Sequence, residues 1–379
     1  MAKHLVFVGG GHAHLTCLVN IRDYINLGHR VSLISPATHH YYSGMGPGLL
    51  SGLYRPEEVR FHIKKLVEDR GAAFVKGHVV RVDAEKRLLI LDSGETLPYH
   101  VVSFNTGSTV PMDGVNNNQE NVYPVKPIIN LLKARNVILG KIRVGTPRLL
   151  VVGGGPAGVE LAGNLWRLVS DNACETKITL VAGGSLLSSF PGRVRSLAIS
   201  SLRERGIEVV EGSHVSQFAA GEAVLADGRR IAYDVAFAAL GVKTSRLFRE
   251  SSLPSGDDGG LLVNKRLQSV AYPEIFGGGD CVSLQGFPLD KVGVHAVRQN
   301  RILHHNLMAA LCDKPMDTFR PQRFYLLIFN LGDGTGIFVR RSWVWSGRLA
   351  FLFKDYLDRS FMRKFQVSGE REDHSEMVD

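Results

Sequence analysis

Short apolar runs separated by glycine turns and amphipathic stretches organise most of this chain. Residues 4–9 (HLVFVG) form the first run, an apolar stretch of helical character follows over about 12–27, and residues 30–35 (RVSLIS) form the next run. A strand, a helix and a second strand at these lengths are typical of a β–α–β unit. The N-terminal pattern therefore predicts a parallel sheet covered by helices, the α/β class.

The turn after the first run matches most of the motif G-x-G-x-x-G. Gly9 permits the tight turn, and Gly11 lets the backbone approach a pyrophosphate, which then lies at the N-terminus of the helix. The third glycine of the motif normally allows close contact between helix and strand, but His14 stands at that place. Either His14 packs differently there or it faces the ligand.

A second copy of this pattern lies in the middle of the chain. A predicted strand at 148–153 leads into Gly153, Gly155 and Gly158, a helix begins at about residue 157, and a strand follows at 177–182. The two turns start 144 residues apart. Two complete units predict two bound dinucleotides or one duplicated fold.

Neither unit carries the acidic residue that usually ends the second strand and holds the ribose hydroxyls. Ser35 occupies this position in the first unit and Ala182 in the second. The Ser35 hydroxyl can still bind the first ligand. Arg193 and Arg195 lie further along the second unit and can either reach a 2′-phosphate or form a solvated helix face.

Composition narrows the class of protein. The chain has 379 residues and is 44% hydrophobic, which is globular composition, and no run approaches about 18 consecutive apolar residues. The first strand begins so early that no signal peptide is expected, and the predicted location is the cytoplasm. The net charge of +9 suits anionic lipid, nucleic acid or a phosphorylated cofactor. No basic–aromatic cluster outside the C-terminal tail supports nucleic-acid binding.

Cysteine spacing limits the redox chemistry. The four cysteines, Cys17, Cys174, Cys281 and Cys312, form no C-x-x-C or C-x4-C pair. A disulfide framework and a dithiol centre of near neighbours are therefore not expected. No metal site is predicted.

The C-terminal region carries an amphipathic pattern. Over residues 345–366, leucines and aromatic residues recur at helical spacing, and most arginines and lysines fall elsewhere on the helix. A basic amphipathic helix of this kind suits an anionic membrane surface, and the alternative is that it packs on the protein's own core or on a second subunit. The final stretch, 368–379, is polar and is expected to be disordered.

Two further stretches resemble a known family. VVSFNTGS (101–108) and YPEIFGGGDCVSL (272–284) are similar to the remaining fingerprints of the two-dinucleotide FAD/NAD(P) flavoproteins. The resemblance implies FAD in the first cradle, NADH or NADPH in the second, and Asp280 on the ribityl chain. The candidate cofactor-binding residues are, for FAD, Gly9, Gly11, His12, His14, Ser35, Pro47, Thr106, Gly107, Gly279 and Asp280, and, for the nicotinamide nucleotide, Gly153, Gly155, Gly158 and Gly241.

The order of the motifs implies a layout like that of glutathione reductase, in which two Rossmann-like domains are nested. The NAD(P) domain is inserted into the FAD domain, and an amphipathic helical region follows. The predicted boundaries are 1–110 and 266–310 for the FAD domain, 111–144 for a connector, 145–265 for the NAD(P)H domain, and 311–379 for a membrane- or interface-binding region.

Closer resemblances suggest the branch of this family. GGGPAGVELAGNL is similar to the second cradle of type II NADH dehydrogenases, which implies that Glu160 lies near the nicotinamide and quinone sites. His295 and Gln299 stand where that group carries its quinone motif, of which only the final glutamine is retained. The stretches GGGHAHL, YYSGMGPGLLSGLY and KDYLDRSFMRKF resemble the flavoprotein domain found fused to selenide, water dikinase, in which the cradle histidines are usual.

These resemblances imply an FAD-dependent oxidoreductase that passes electrons from NAD(P)H to a quinone, with Glu160, His295 and Gln299 at the junction of the two substrates. They imply a peripheral position on the inner face of the cell membrane, and a homodimer is an open alternative. A sulfide or selenide:quinone reductase that uses Cys174 or Cys281 is the competing enzyme. A flavin-binding sensor or scaffold without turnover is the competing class.

Overall fold

The N-terminal part of the chain forms the first predicted parallel sheet. The computed structural model describes residues 1–112, 120–219 and 221–372. Strands β9, β1, β2 and β5 lie side by side in that order, all parallel. The elements of this part are β1 (His4–Val8), α1 (Leu15–Val19), α2 (Ile21–Asn26), β2 (Arg30–Ser35), β3 (His40–Tyr41), α3 (Gly46–Ser51), β4 (Arg60–Phe61), α4 (Ile63–Glu68), β5 (Ala73–Lys76), β6 (Val79–Asp83), β7 (Leu88–Leu91), β8 (Thr96–Pro98) and β9 (Val101–Phe104).

The middle of the chain forms the second parallel sheet, in the order β10-β17-β11-β12-β13. Strand β10 and helix α5, which the sequence places in a connector, extend this second unit, because β10 pairs with β17 and the inner face of α5 joins its core. The elements are β10 (Val122–Pro124), α5 (Ile129–Ile142), β11 (Leu149–Val152), α6 (Pro156–Asp171), β12 (Ile178–Ala182), α7 (Gly192–Glu204), β13 (Glu208–Glu211), β14 (Val215–Ala219), β15 (Glu222–Leu225), β16 (Arg230–Ala232), β17 (Val235–Ala238), α8 (Leu247–Glu250) and β18 (Leu261–Val263).

The chain then returns to the first sheet. Strand β19 pairs in parallel with β9, so the second unit is an insertion between two parts of the first sheet. The remaining elements are β19 (Ile275–Gly277), β20 (Val282–Leu284), α9 (Gly293–Cys312), β21 (Leu327–Asn330), β22 (Gly336–Arg340), β23 (Trp343–Gly347) and α10 (Arg348–Phe365). This nested α/β topology confirms the predicted fold class.

The C-terminal region contacts both units. Strands β21, β22 and β23 form an antiparallel sheet, and Phe329 and Leu331 belong to the core of the second unit. Gly163 of α6 lies so close to the Leu331 carbonyl that a Cβ at this position would overlap it. The following helix, α10, buries Met362 and Phe365 in the core of the first unit. This region is therefore built into the fold and is not an appended tail.

The expectation of disorder after residue 367 is wrong for its first five residues. Glu370 is 1% exposed, and its carboxylate accepts hydrogen bonds from the backbone N–H of Ser368 at 2.9 Å and of His62 at 3.3 Å. These bonds hold the chain against the start of α4. The remaining residues of that expectation, 373–379, lie outside the described residues. Among the described helices, none has the length and apolar character that crossing a membrane requires.

Candidate dinucleotide sites

Gly9 and Gly11 lie in the tight turn that joins β1 to α1 and packs against the end of β9. Gly9 has a φ of +86°, and a Cβ on Gly9 would overlap the backbone carbonyl of Asn105. A Cβ on Gly11 would overlap the Asn105 side-chain oxygen. Asn105 in turn donates from Nδ2 to the carbonyl of Gly278 at 2.8 Å. One buried asparagine, which the sequence analysis did not single out, therefore joins the cradle, the end of β9 and the glycine turn after β19.

His14 packs inside the protein. Its Nδ1 lies 2.6 Å from the Gly9 carbonyl and its Nε2 lies 2.8 Å from the Ser103 hydroxyl. The carbonyl can only accept, so Nδ1 carries the proton and Nε2 accepts from Ser103. Burial lowers the pKa of His14 to about 4, so the ring is neutral, and its edge contacts Phe7. His14 therefore packs inside the protein and does not face the ligand. Its hydrogen bonds hold α1 to β1 and β9.

Asp280 lies at the centre of a polar cluster. Its Oδ2 accepts hydrogen bonds from the Ser108 hydroxyl at 2.6 Å and from the Lys126 ammonium at 2.7 Å. Lys126 also donates to Ser108 at 2.7 Å. Lys126 follows β10 of the second unit, so this ion pair joins the two units beside the expected ribityl position. Of the predicted neighbours, Thr106 is exposed just after β9 and Gly107 has a φ of +70°.

His12 lies in an aromatic pocket beside the first cradle. Its ring contacts His40 and Tyr42 edge to face, with centroid separations of 4.9 and 5.2 Å. Burial, reinforced by the charge of Lys126, lowers the pKa of His12 to about 4. Its Nε2 is buried without a hydrogen-bond partner among the described residues. Pro47 is buried in the first turn of α3, a few residues after Tyr42 in the sequence.

The start of α9 supplies two more of the predicted residues. Gln299 is fully buried and accepts from the backbone N–H of Gly279 at 2.6 Å, while its Nε2 has no partner among the described residues. His295 is buried against Tyr325, with an unpartnered Nδ1, and burial lowers its pKa. Both side chains thus keep an unused polar atom close to the turn that carries Asp280.

The second cradle has the close contacts that its glycines predict. A Cβ on Gly153 would overlap the Ala239 carbonyl, and a Cβ on Gly158 would overlap the Gly153 carbonyl. Gly155 caps the 16-residue helix α6, whose free N–H groups point to the turn. Gly241 follows β17 with a φ of +78° and is exposed. The parallel strands β11 and β17 therefore bring Gly153 and Gly241 to the same edge of the sheet.

Glu160 lies where both units and α10 meet. Its Oε1 accepts from the backbone N–H of Asn330 at 2.7 Å. Burial raises the pKa of Glu160 to about 7, and the charge of Lys354 offsets only part of that shift. The carboxyl is therefore poised between its two protonation states near neutral pH.

Lys354 and Asp358 form an ion pair under α10. The Lys354 ammonium donates to Asp358 at 2.6 Å and to the Gly44 carbonyl at 2.7 Å, and the Tyr42 hydroxyl donates to Asp358 at 3.1 Å. The Lys354 and Asp358 side chains are 11% and 9% exposed. The sequence pattern counts Lys354 among the basic residues of the polar face, whereas in the structure its ammonium lies inwards, because Asp358 supplies a counter-charge and Gly44 a carbonyl acceptor there.

None of the four cysteines is disulfide-bonded in the described structure. Cys17 and Cys281 are fully buried. Cys281 contacts the carbonyls of Phe104 and Gly278 at 3.5 and 3.3 Å, and burial raises its pKa. Cys174 and Cys312 are half-buried, and all four thiols are free. The buried thiols are poor nucleophiles, which weighs against sulfide chemistry at Cys281.

The residues around the first cradle fit FAD. The turn is closed to any Cβ, Asp280 offers an acceptor for sugar hydroxyls, and three buried polar atoms, on His12, His295 and Gln299, have no partner among the described residues. Ser35 ends β2 and is buried. Sequence reasoning missed Lys126, which belongs to no quoted motif, and did not single out Asn105 within the fingerprint 101–108, because each acts through a residue more than 100 positions away.

Known proteins resemble this chain in sequence and in fold. Ferroptosis suppressor protein 1 of Taeniopygia guttata is 26% identical over 317 residues, 80% of each chain. The structure of NDH2 from Plasmodium falciparum in complex with NADH superposes over 100% of both chains with a TM-score of 0.82 at 15% identity. The sulfide:quinone oxidoreductase from Aquifex aeolicus covers 97% of this chain and 92% of its own, with a TM-score of 0.80 at 17% identity.

At these identities the two solved structures show a shared fold. The family model described as pyridine nucleotide-disulphide oxidoreductase matches residues 3–305, which include both cradles and the turn that carries Asp280. The chain belongs to the pyridine nucleotide-disulphide oxidoreductase family.

Proposed function

We propose that this protein is an FAD-dependent oxidoreductase that transfers electrons from NAD(P)H to a quinone at a membrane surface. The observation that carries the proposal is the junction at Glu160. There Asn330 of β21 bonds to the carboxyl group of Glu160 on the second cradle's helix, and the charges of α10 act on that carboxyl group, whose pKa burial raises to about 7. Of the two solved structures that share this fold, one is in complex with NADH and the other is a sulfide:quinone oxidoreductase.

The first cradle would hold FAD. Gly9 and Gly11 pack against Asn105 without a Cβ, which keeps the turn tight beside the expected pyrophosphate, and Asp280, positioned by Ser108 and Lys126, would accept from the ribityl hydroxyls. When bound, FAD supplies the two-electron exchange between a hydride donor and a quinone. The protein's part is to orient the cofactor, exclude water and manage one proton.

The reaction needs this one proton in order to balance. NAD(P)H and a quinone give NAD(P)⁺ and a quinol only if one further proton is taken up. Glu160 is the candidate donor, because burial keeps its carboxyl partly protonated at neutral pH. Lys354 and Asp358 hold a fixed pair of charges beside it, and His295 and Gln299 would face the flavin from α9.

The outer face of α10 would bind the membrane. Five of its apolar side chains lie exposed, and Trp343 before the helix is 73% exposed. Exposed basic residues adjoin this patch at Arg340, Arg341 and Arg348. An apolar face with an arginine rim suits the interface of an anionic bilayer. The exposed apolar residues of α10 are Leu349, Leu352, Phe353, Tyr356 and Leu357.

The central test is anaerobic reduction of the purified flavoprotein with NADH, NADPH and sulfide in separate samples. The proposal expects a nicotinamide nucleotide to bleach the flavin absorbance and a soluble quinone to restore it. Bleaching by sulfide alone, lost in Cys174→Ser or Cys281→Ser, would instead favour the sulfide reductase. No bleaching by any donor would leave a flavin-binding protein without this activity.

The pH dependence of quinone reduction tests Glu160. The carboxyl can donate a proton below its pKa of about 7 and cannot above it. The rate of quinone reduction by the pre-reduced enzyme should therefore fall as the pH rises through 7. In Glu160→Gln that rate should be lower and independent of pH over this range. An unchanged pH profile in the variant would remove Glu160 from the proton path.

Vesicle binding tests the outer face of α10. The double variant Leu349→Glu/Leu352→Glu should lower partitioning onto anionic vesicles by about tenfold or more, since each buried leucine side chain contributes about 2 kcal/mol. Val144, which is 88% exposed just after α5, gives the control Val144→Glu. Equal partitioning of both variants would contradict the assignment. Dissociation of a dimer by the double variant would identify the patch as a subunit interface.

A further inference from the structure

We propose that the second cradle receives the 2′-phosphate of NADPH through Arg195, so that the enzyme uses NADPH at least as well as NADH. This inference rests on the proposed function and specifies its electron donor. The ribose of the bound nucleotide would lie at the end of β12.

The position that selects NADH in this type of unit carries no acceptor. Strand β12 ends at the buried Ala182, and the following residues, 183–185, are exposed Gly, Gly and Ser. The turn is therefore open and lacks a side chain that could bind both ribose hydroxyls. None of these three residues would clash with a 2′-phosphate or repel its charge.

The adjacent carboxylate is already engaged. Glu211 ends β13 and is the register partner of Ala182. Its Oε1 accepts from the backbone N–H of Leu186 at 2.6 Å, and both oxygens accept from Arg195 Nη2 at 2.9 Å. These bonds, with the charges of Arg195 and Arg203, lower the pKa of Glu211. Glu211 therefore serves to fix the turn and the arginine.

Arg195 is held beside the turn with donors to spare. A guanidinium has five N–H groups, and only those on Nη2 are used by Glu211. Its Nε has no hydrogen-bond partner among the described residues. Arg193, exposed on the same first turn of α7, adds a second positive charge. Glu211 leaves the N–H groups on Nη1 and Nε for other acceptors, and the two positive charges of Arg193 and Arg195 attract a phosphate.

Binding of nucleotide fragments tests this site without any redox step. The flavin-loaded enzyme should bind adenosine 2′,5′-bisphosphate about tenfold or more tightly than 5′-AMP, as expected for hydrogen bonds to a charged group. Arg195→Gln should bring the two dissociation constants, measured by calorimetry, close together. Glu211→Gln, which keeps Arg195 and removes its counter-charge, should tighten the bisphosphate further.

Lys177→Gln is the matched control. Lys177 pairs with Glu208 at 3.0 Å at the opposite end of the same two strands, so this variant removes one charge from the same domain far from the turn. It should leave both dissociation constants unchanged. Equal binding of the two fragments by the wild type, or the same loss in the control, would overturn the inference. Failure of both NADH and NADPH to bleach the flavin would refute the proposed function while the binding result stood.

Discussion

Lys354→Met is expected to lower the free energy of unfolding by about 3–5 kcal/mol, because it leaves the buried carboxylate of Asp358 without its counter-charge. The loss should be measured by urea denaturation at neutral pH. It should become smaller as the pH falls, because burial already raises the pKa of Asp358 and removal of Lys354 raises it further. A protonated Asp358 then costs less to bury.

An exposed lysine supplies the comparison for this variant. Lys133 lies on the solvent side of α5, and Lys133→Met should change the free energy of unfolding by less than about 0.5 kcal/mol. If Lys354→Met were no more destabilising than this control, the ion pair under α10 would not be a structural element.

Gly11→Ala is expected to yield a folded protein that retains little FAD. The added Cβ would overlap the Asn105 side-chain oxygen, so either Asn105 or the cradle must move. Forcing a methyl group into a filled site costs about 1–3 kcal/mol. We expect displacement of the cradle to relieve this strain at the expense of FAD binding, with a loss of affinity of about 5- to 150-fold. The ratio of flavin to protein after gel filtration measures the effect.

Gly140→Ala is the matched control for the cradle. Gly140 lies inside α5, and a Cβ there would contact nothing within 4 Å. This change should leave the flavin content intact and stabilise the helix by up to about 1 kcal/mol. Full flavin retention in Gly11→Ala would show that the N-terminal turn does not hold the cofactor.

Structural features that depend only on short stretches of the chain could be predicted from the sequence. Gly9, Gly11, Gly153 and Gly158 could be identified because a tight turn between strand and helix has only a few solutions, and those solutions need glycine. The nested order of the two units followed from the order of the motifs. The return of β19 to the first sheet agrees with it.

Contacts between residues that lie far apart in the sequence could not be predicted from the sequence pattern. The role of His14 depends on Ser103, 89 residues away, and Asp280 meets Lys126 across 154 positions. Helical periodicity treats a lysine as a surface residue, so it could not foresee that Lys354 turns inwards to Asp358 and Gly44. In each case the partner that makes burial favourable comes from another element.

The C-terminal region has a consequence for how the molecule melts. Its small sheet is part of the core of the second unit, its last helix is part of the core of the first, and Ser51 of α3 donates to Asn164 of α6 between them. Unfolding of either unit's core would remove side chains that pack against the other unit. We therefore expect the two dinucleotide units to unfold as one cooperative block, although each has the size of an independent domain.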